Sequence, residues 1–129
     1  MYKAIYNRIS KEFLSEPKSF KLITKSDVPS GSGLGGSSTL VVAIIKAFSE
    51  WLELSLDMYQ IAKMAFEIER IDMNIHGGAQ DQYAATFGGL NKFTFKSPSN
   101  ISIGPDFPNR FFNSISDLSA MKSNFVFSK

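Results

Sequence analysis

Residues 27–39 read Asp27-Val-Pro-Ser-Gly-Ser-Gly-Leu-Gly-Gly-Ser-Ser-Thr39 and run straight into a strongly apolar, helix-periodic segment. Gly31, Gly33, Gly35 and Gly36 allow positive φ angles and close approach of the backbone to a ligand. Ser37 and Ser38 then open a helix whose free N–H groups and positive dipole end suit a phosphate. The stretch therefore reads as a candidate nucleotide-phosphate cradle.

Three glycine motifs compete for it. Gly31, Gly33 and Gly36 satisfy G-x-G-x-x-G, which needs a following strand and an acid about 20 residues on. Glu53 lies near that distance, but it follows a helix and precedes another helical pattern. Gly31 and Gly36 also have P-loop spacing, yet Ser37 stands where the phosphate-binding lysine belongs. A protein-kinase glycine loop would lead into a strand, and residues 40–52 are helix-periodic.

Working outward, Ile5, Ile9 and Phe13 predict a helix over residues 1–13, ended at Glu16-Pro17. Phe20, Leu22 and Ile23 predict a strand over 19–26. Leu40, Val41, Ile44, Ile45, Phe48, Trp51 and Leu52 predict a helix over 37–53. Asp57 is placed to cap a helix over 57–73, and a short helix over 79–87 ends at Gly88-Gly89. Strands are expected at 90–95 and 101–103. Beyond Lys96 the chain turns Ser-, Asn-, Pro- and Phe-rich without a sustained period. The division predicted is a domain over 1–96 and a divergent or loosely ordered tail over 97–129.

The helix at 57–73 carries two acids whose directions differ. With Ile61 as origin and about 100° per residue, Glu67 falls on the solvated side, within reach of Lys63 or Arg70. Glu69 falls near ~80°, between Ala62 and Ala65, turned toward packed structure. A carboxylate there needs a partner: a metal ion, a backbone group or a basic side chain. Asp81 follows the double glycine Gly77-Gly78 at the start of a short helix. It could serve as a general base, a metal ligand or only a first-turn helix stabiliser. His76, the single histidine, could also be a base, but a loop histidine is more often a solvated turn residue.

Bulk properties exclude several classes. The chain has 129 residues, 43% of them hydrophobic and 20% charged, which suits one domain with a modest core. A net charge of +2 gives no nucleic-acid footprint. Without cysteine there are no disulfides and no thiolate chemistry, which is compatible with a cytoplasmic location. The longest apolar run, Leu40–Ile45, is far too short to span a membrane. No zinc spacing or G-x-S-x-G elbow is present.

Pro29-Ser-Gly-Ser-Gly-Leu-Gly-Gly-Ser-Ser-Thr39 closely resembles the phosphate-binding motif of the GHMP kinases, the superfamily of galactokinase, homoserine kinase and mevalonate kinase. Glu69, Asp81 and Gly88-Gly89 match that family in order and approximate spacing. Ala65-Phe-Glu-Ile-Glu-Arg70 and Gly77-Gly-Ala-Gln-Asp-Gln-Tyr-Ala-Ala-Thr-Phe-Gly-Gly89 make the segment from Asp27 to Gly89 most similar to the D-glycero-D-manno-heptose 7-phosphate kinase branch.

The resemblance implies an α+β fold, a partial GHMP kinase N-terminal domain of the ribosomal protein S5 domain 2-like type, with helices packed on a reduced sheet. It implies ATP and Mg²⁺ as cofactors and a sugar phosphate as acceptor. ATP phosphates would be held by Pro29, Gly31, Gly33, Leu34, Gly35, Gly36, Ser37 and Ser38. Mg²⁺ would be held by Ser37 and Glu69, and Asp81 would be the catalytic carboxylate. The family's opening strand, sugar-binding turn and C-terminal domain have no counterpart in the matched segment. The chain is therefore expected to be a fragment with little kinase activity of its own. The alternative expectation is a non-catalytic remnant that at most binds nucleotide phosphates.

Overall fold

The computed structural model describes residues 1–29, 31–89, 91–97, 100–104 and 126–128. In chain order these form α1 (Tyr2–Phe13), β1 (Lys21–Ile23), α2 (Gly36–Trp51), α3 (Met58–Glu67), a π-helical turn (Ile68–Asp72), α4 (Gln80–Phe87), β2 (Lys92–Ser97), β3 (Asn100–Gly104) and β4 (Val126–Ser128). The helices lie where the apolar periods put them. The predicted strand at 19–26 shortens to three residues. Leu90, at the start of another predicted strand, lies outside the described residues, as does much of the predicted tail.

One core joins α1, α2 and α3, and a smaller cluster of Ala62, Ala79 and Tyr83 seats α4. Ile5 and Ile9 of α1, Val41, Ile44, Ile45 and Phe48 of α2, and Ile61, Met64 and Ala65 of α3 are buried together with Ile68. These are the i, i+3, i+4 positions of each helix, so burial of one stripe per helix drives the packing. Phe13 stays 38% exposed, so the α1 stripe ends one turn short of its predicted length. Phe20 docks the β1 strand region on this core through an edge-on contact with Phe48 at 5.1 Å and a tilted one with Trp51 at 5.6 Å.

Among the described residues the sheets are small. β1 pairs antiparallel with β4, Leu22 opposite Phe127, and β2 pairs antiparallel with β3, Phe93 opposite Ile103. The single long helix predicted over 57–73 is two pieces. Asp57 does cap it: its side chain accepts from the Gln60 N–H at 2.8 Å, and Gln60 Oε1 accepts from the Asp57 N–H at 2.8 Å. From Ile68 the backbone widens into a π turn, in which the Met73 N–H donates to Ile68 O, five residues back.

Candidate active site: the glycine loop, Glu69 and Asp81

The glycine loop delivers α2 with an open N-terminus. Gly31, Gly33 and Gly35 have φ of +80°, +72° and +68°, the left-handed region that a side chain disfavours. Gly35 is the N-cap, and no side chain caps the helix. The first-turn N–H groups therefore keep their capacity to donate to an anion. Pro29, Gly31, Gly33 and Leu34 are exposed, and Gly35 and Gly36 are half-buried. Leu34 is 68% exposed, so the loop tip carries an apolar side chain in the open.

The π turn carries Glu69, which is only 2% exposed. Its Oε2 accepts from Ser38 Oγ at 2.7 Å and from Gln82 Nε2. Its Oε1 faces the exposed Ser37, whose Oγ stands at 3.4 Å. The inward direction read from the helical wheel is the one observed. Ser38 departs from the expectation at one point: its hydroxyl is buried against Glu69, so only its backbone N–H is left to meet a phosphate.

Glu67 and Arg70 have partners that local reading did not supply. Glu67 is half-buried and pairs with Arg8 of α1, with Lys63 farther off at 3.9 Å. Arg8 also meets Glu12 and, at 3.3 Å, Asp72. Burial opposes the Arg8 charge, but Glu12, Asp72 and Glu67 together raise its pKa above the ordinary guanidinium value. Arg70 donates to Gly78 O at 2.9 and 3.1 Å and to Ile75 O at 3.2 Å, clamping the loop ahead of α4. Gly77 has a φ of +149°, which a side chain disfavours, and a Cβ built there would also stand 2.9 Å from Arg70 Nη2.

That loop sets Asp81 in the first turn of α4, exposed, and makes it a neighbour of the glycine loop. A Cβ built on Gly35 would stand 3.6 Å from Asp81 Cγ. Among the described residues Asp81 makes no hydrogen bond or ion pair, so its carboxylate is available. His76 is exposed, as a turn residue would be. α4 packs on both α2 and α3, which brings Ser37, Glu69 and Asp81 into one neighbourhood from three separate elements.

The donor set suits a hard cation. Ser37 and Glu69 offer a hydroxyl and a carboxylate oxygen, the ligand type Mg²⁺ takes. Adjacent oxygens on an octahedral Mg²⁺ at about 2.1 Å stand about 3 Å apart, close to the observed 3.4 Å. Among the described residues no cluster of three His, Cys, Asp or Glu side chains forms an all-protein cage. Mg²⁺ characteristically needs none, since it binds through one or two protein oxygens plus phosphates. Among the described residues no helix is long and apolar enough to cross a membrane.

Gln82, fully buried, is the participant the sequence reading missed. The signal was present: Ala79, Gln82 and Tyr83 share the i, i+3, i+4 face of α4, which puts an amide on a packed stripe. Tyr83 is 8% exposed, and burial raises its pKa, with Tyr59 and Glu67 adding to the rise.

Comparison with known proteins finds relatives among small-molecule kinases. D-glycero-alpha-D-manno-heptose 7-phosphate kinase of Campylobacter jejuni is 63% identical over 105 residues, which cover 81% of this chain and 31% of that one. Shikimate kinase of Pyrococcus abyssi is 35% identical over 92 residues, 69% of this chain and 34% of its own. The chain thus spans about a third of the length of these relatives. The crystal structure of a D-glycero-D-manno-heptose 1-phosphate kinase from Bacteriodes thetaiotaomicron superposes with a TM-score of 0.76 at 52% identity, over 80% of this chain and 34% of that one. Residues 1–89 match the GHMP kinases N terminal domain, and the chain belongs to that kinase family.

Proposed function

We propose that this chain carries the nucleotide and metal half of an ATP-dependent sugar kinase site, with a heptose 7-phosphate as the acceptor. The observation that carries the proposal is the meeting of Ser37 and Glu69 at the uncapped end of α2, beside Asp81. The N–H groups from Gly33 to Ser38 hold the nucleotide phosphates, with Pro29, Gly31 and Leu34 shaping the loop. Ser37 and Glu69 would hold Mg²⁺, which neutralises charge on the phosphate oxygens. Asp81 takes or orients the proton of the acceptor hydroxyl. The hydroxyl oxygen forms its bond to the γ-phosphorus as the bond to the β,γ-bridging oxygen breaks, and ADP leaves. The finer fold assignment, an S5 domain 2-like layer of helices on a reduced sheet, belongs to the same proposal. Its support is the docking of Phe20 and Leu22 on the helical core.

A second reading has its own observation. The chain spans about a third of its relatives' length, and among the described residues no cationic side chain forms an ion pair with Asp81. On that reading the chain binds nucleotide phosphates without transferring one. Isothermal titration of ATP with and without Mg²⁺ on this chain, alongside an ADP-release assay with D-glycero-D-manno-heptose 7-phosphate on the Campylobacter jejuni kinase carrying this chain in place of its matching segment, separates the two. Mg²⁺-dependent binding with sugar-dependent ADP release supports transfer. Binding with no sugar-dependent release supports the second reading, and no binding overturns both.

A further inference from the structure

Gln82 lies one residue beyond Asp81 on α4, yet its side chain points away from the exposed face into the interior. Its Nε2 donates to Glu69 Oε2 and, at 3.2 Å, to Ser38 Oγ. Ser38 Oγ donates in turn to the same carboxylate oxygen at 2.7 Å. The three side chains close a triangle on Oε2 and leave Oε1 turned to Ser37. Among the described residues the other end of the amide, Oε1, is buried without a partner. A buried acceptor without a donor disfavours folding. The neighbours on this face of α4, Ala79 and Tyr83 with Ala62, are apolar or aromatic and would receive a thioether well. A glutamine here has a compensating task only through its two donated hydrogen bonds.

Given the reading of Ser37 and Glu69 as the cation-holding pair, we propose that Gln82 is a positioning residue for Glu69. It fixes the carboxylate through Oε2 so that Oε1 is presented to the cation. Because it adjoins Asp81 in the first turn of α4, it ties the metal ligand and the exposed carboxylate to one rigid element. Outer partners of metal ligands are commonly worth about 10–100-fold in metal affinity, and Gln82→Met should fall in that range.

The test uses the full 129-residue chain. Mn²⁺ binding in the presence of ATP is followed by electron paramagnetic resonance, and metal-free ATP affinity is measured separately in EDTA. Gln82→Met should lower Mn²⁺ affinity about 10-fold or more and leave metal-free ATP affinity unchanged, while Glu69→Gln lowers Mn²⁺ affinity further. If Gln82→Met shows no cooperative melt, Gln82→Asn, which keeps the amide but withdraws it by one methylene, is read by the same criteria. Unchanged Mn²⁺ affinity, alongside a loss in Glu69→Gln, overturns the positioning role alone. A parallel loss of Mn²⁺ and metal-free ATP binding overturns it in favour of general packing. Wild-type Mn²⁺ affinity in Glu69→Gln, or no Mn²⁺ binding by the wild-type chain, overturns the reading of Glu69 and this proposal with it.

Discussion

Glu69→Gln separates a structural charge from a ligand charge. In the wild type, Oε2 accepts from Ser38 and Gln82, and Oε1 lies 3.4 Å from Ser37 Oγ. A glutamine can set its amide oxygen where Oε2 was and keep both donors, while its NH₂ donates to the Ser37 hydroxyl. Two charge-assisted bonds at about 1.5–3 kcal/mol become neutral ones at about 0.5–1.5 kcal/mol, a loss of roughly 2–3 kcal/mol. Removing a carboxylate that is 2% exposed relieves a desolvation penalty of several kcal/mol. The two nearly cancel, so the melting temperature in EDTA should move by no more than about 4 °C, the equivalent of about 1 kcal/mol for a chain of 129 residues. Mg·ATP at about 100 times its Kd should stabilise the wild type by about 2.7 kcal/mol. Glu69→Gln should lose the Mg²⁺-dependent part of that increment. Glu67→Gln removes one of three acids around Arg8, a partly exposed arrangement worth about 0.2–1 kcal/mol, and should keep the whole increment. Thermal melts by circular dichroism in EDTA, in ATP with EDTA and in Mg·ATP give all three quantities. Equal Mg²⁺ increments in the two variants would refute the reasoning. So would a loss above about 3 kcal/mol for Glu69→Gln in EDTA, since the charge would then be structural.

Asp81→Asn should leave ATP affinity nearly unchanged and, wherever sugar-dependent turnover is measurable, lower it by orders of magnitude; a parallel loss of ATP binding would argue for a structural carboxylate. Gly35→Ala has room for its Cβ, 3.6 Å from Asp81 Cγ, but must hold φ near +68°, so urea melts should show a loss of about 1–2 kcal/mol. Unchanged stability would mean the loop does not need the left-handed conformation. Tyr83 has its folded pKa raised above the unfolded value near 10. Its contribution is therefore complete below about pH 10 and lost as pH rises through the folded pKa. Compared with Tyr83→Phe, the wild type should lose stability more steeply in alkaline melts, and parallel curves would contradict the assignment.

Much of the helical frame was legible because each helix buries one stripe: Ile5 and Ile9, then Val41 to Phe48, then Ile61 to Ala65, repeat at the helical period. Asp57 announced its cap for an equally local reason. The direction of Glu69 was legible too, although a uniform α-helix was assumed where a π turn stands. The turn depends on bonds such as Met73 N–H to Ile68 O, a choice among nearby carbonyls that residue type does not betray. Partners distant in sequence were hidden. Arg8 reaches Glu67 across 59 positions, and Arg70, expected beside Glu67, turns instead to the carbonyls of Ile75 and Gly78. Gln82 was overlooked because neutral amides carry no charge pattern, even though its place beside Ala79 and Tyr83 marked it as buried.

On the proposed function, Gly33 to Ser38 hold nucleotide phosphates at the open end of α2, beside Glu69 and Asp81. Backbone-amide NMR shift mapping during an Mg·ATP titration tests it most directly. The largest shifts are expected at Gly33, Gly35, Gly36, Ser37 and Ser38, a smaller one at Asp81, and quiet amides at Ile5 and Ile9 in the core. Saturating Mg·ATP that moves other amides while those from Gly33 to Ser38 stay still would contradict it.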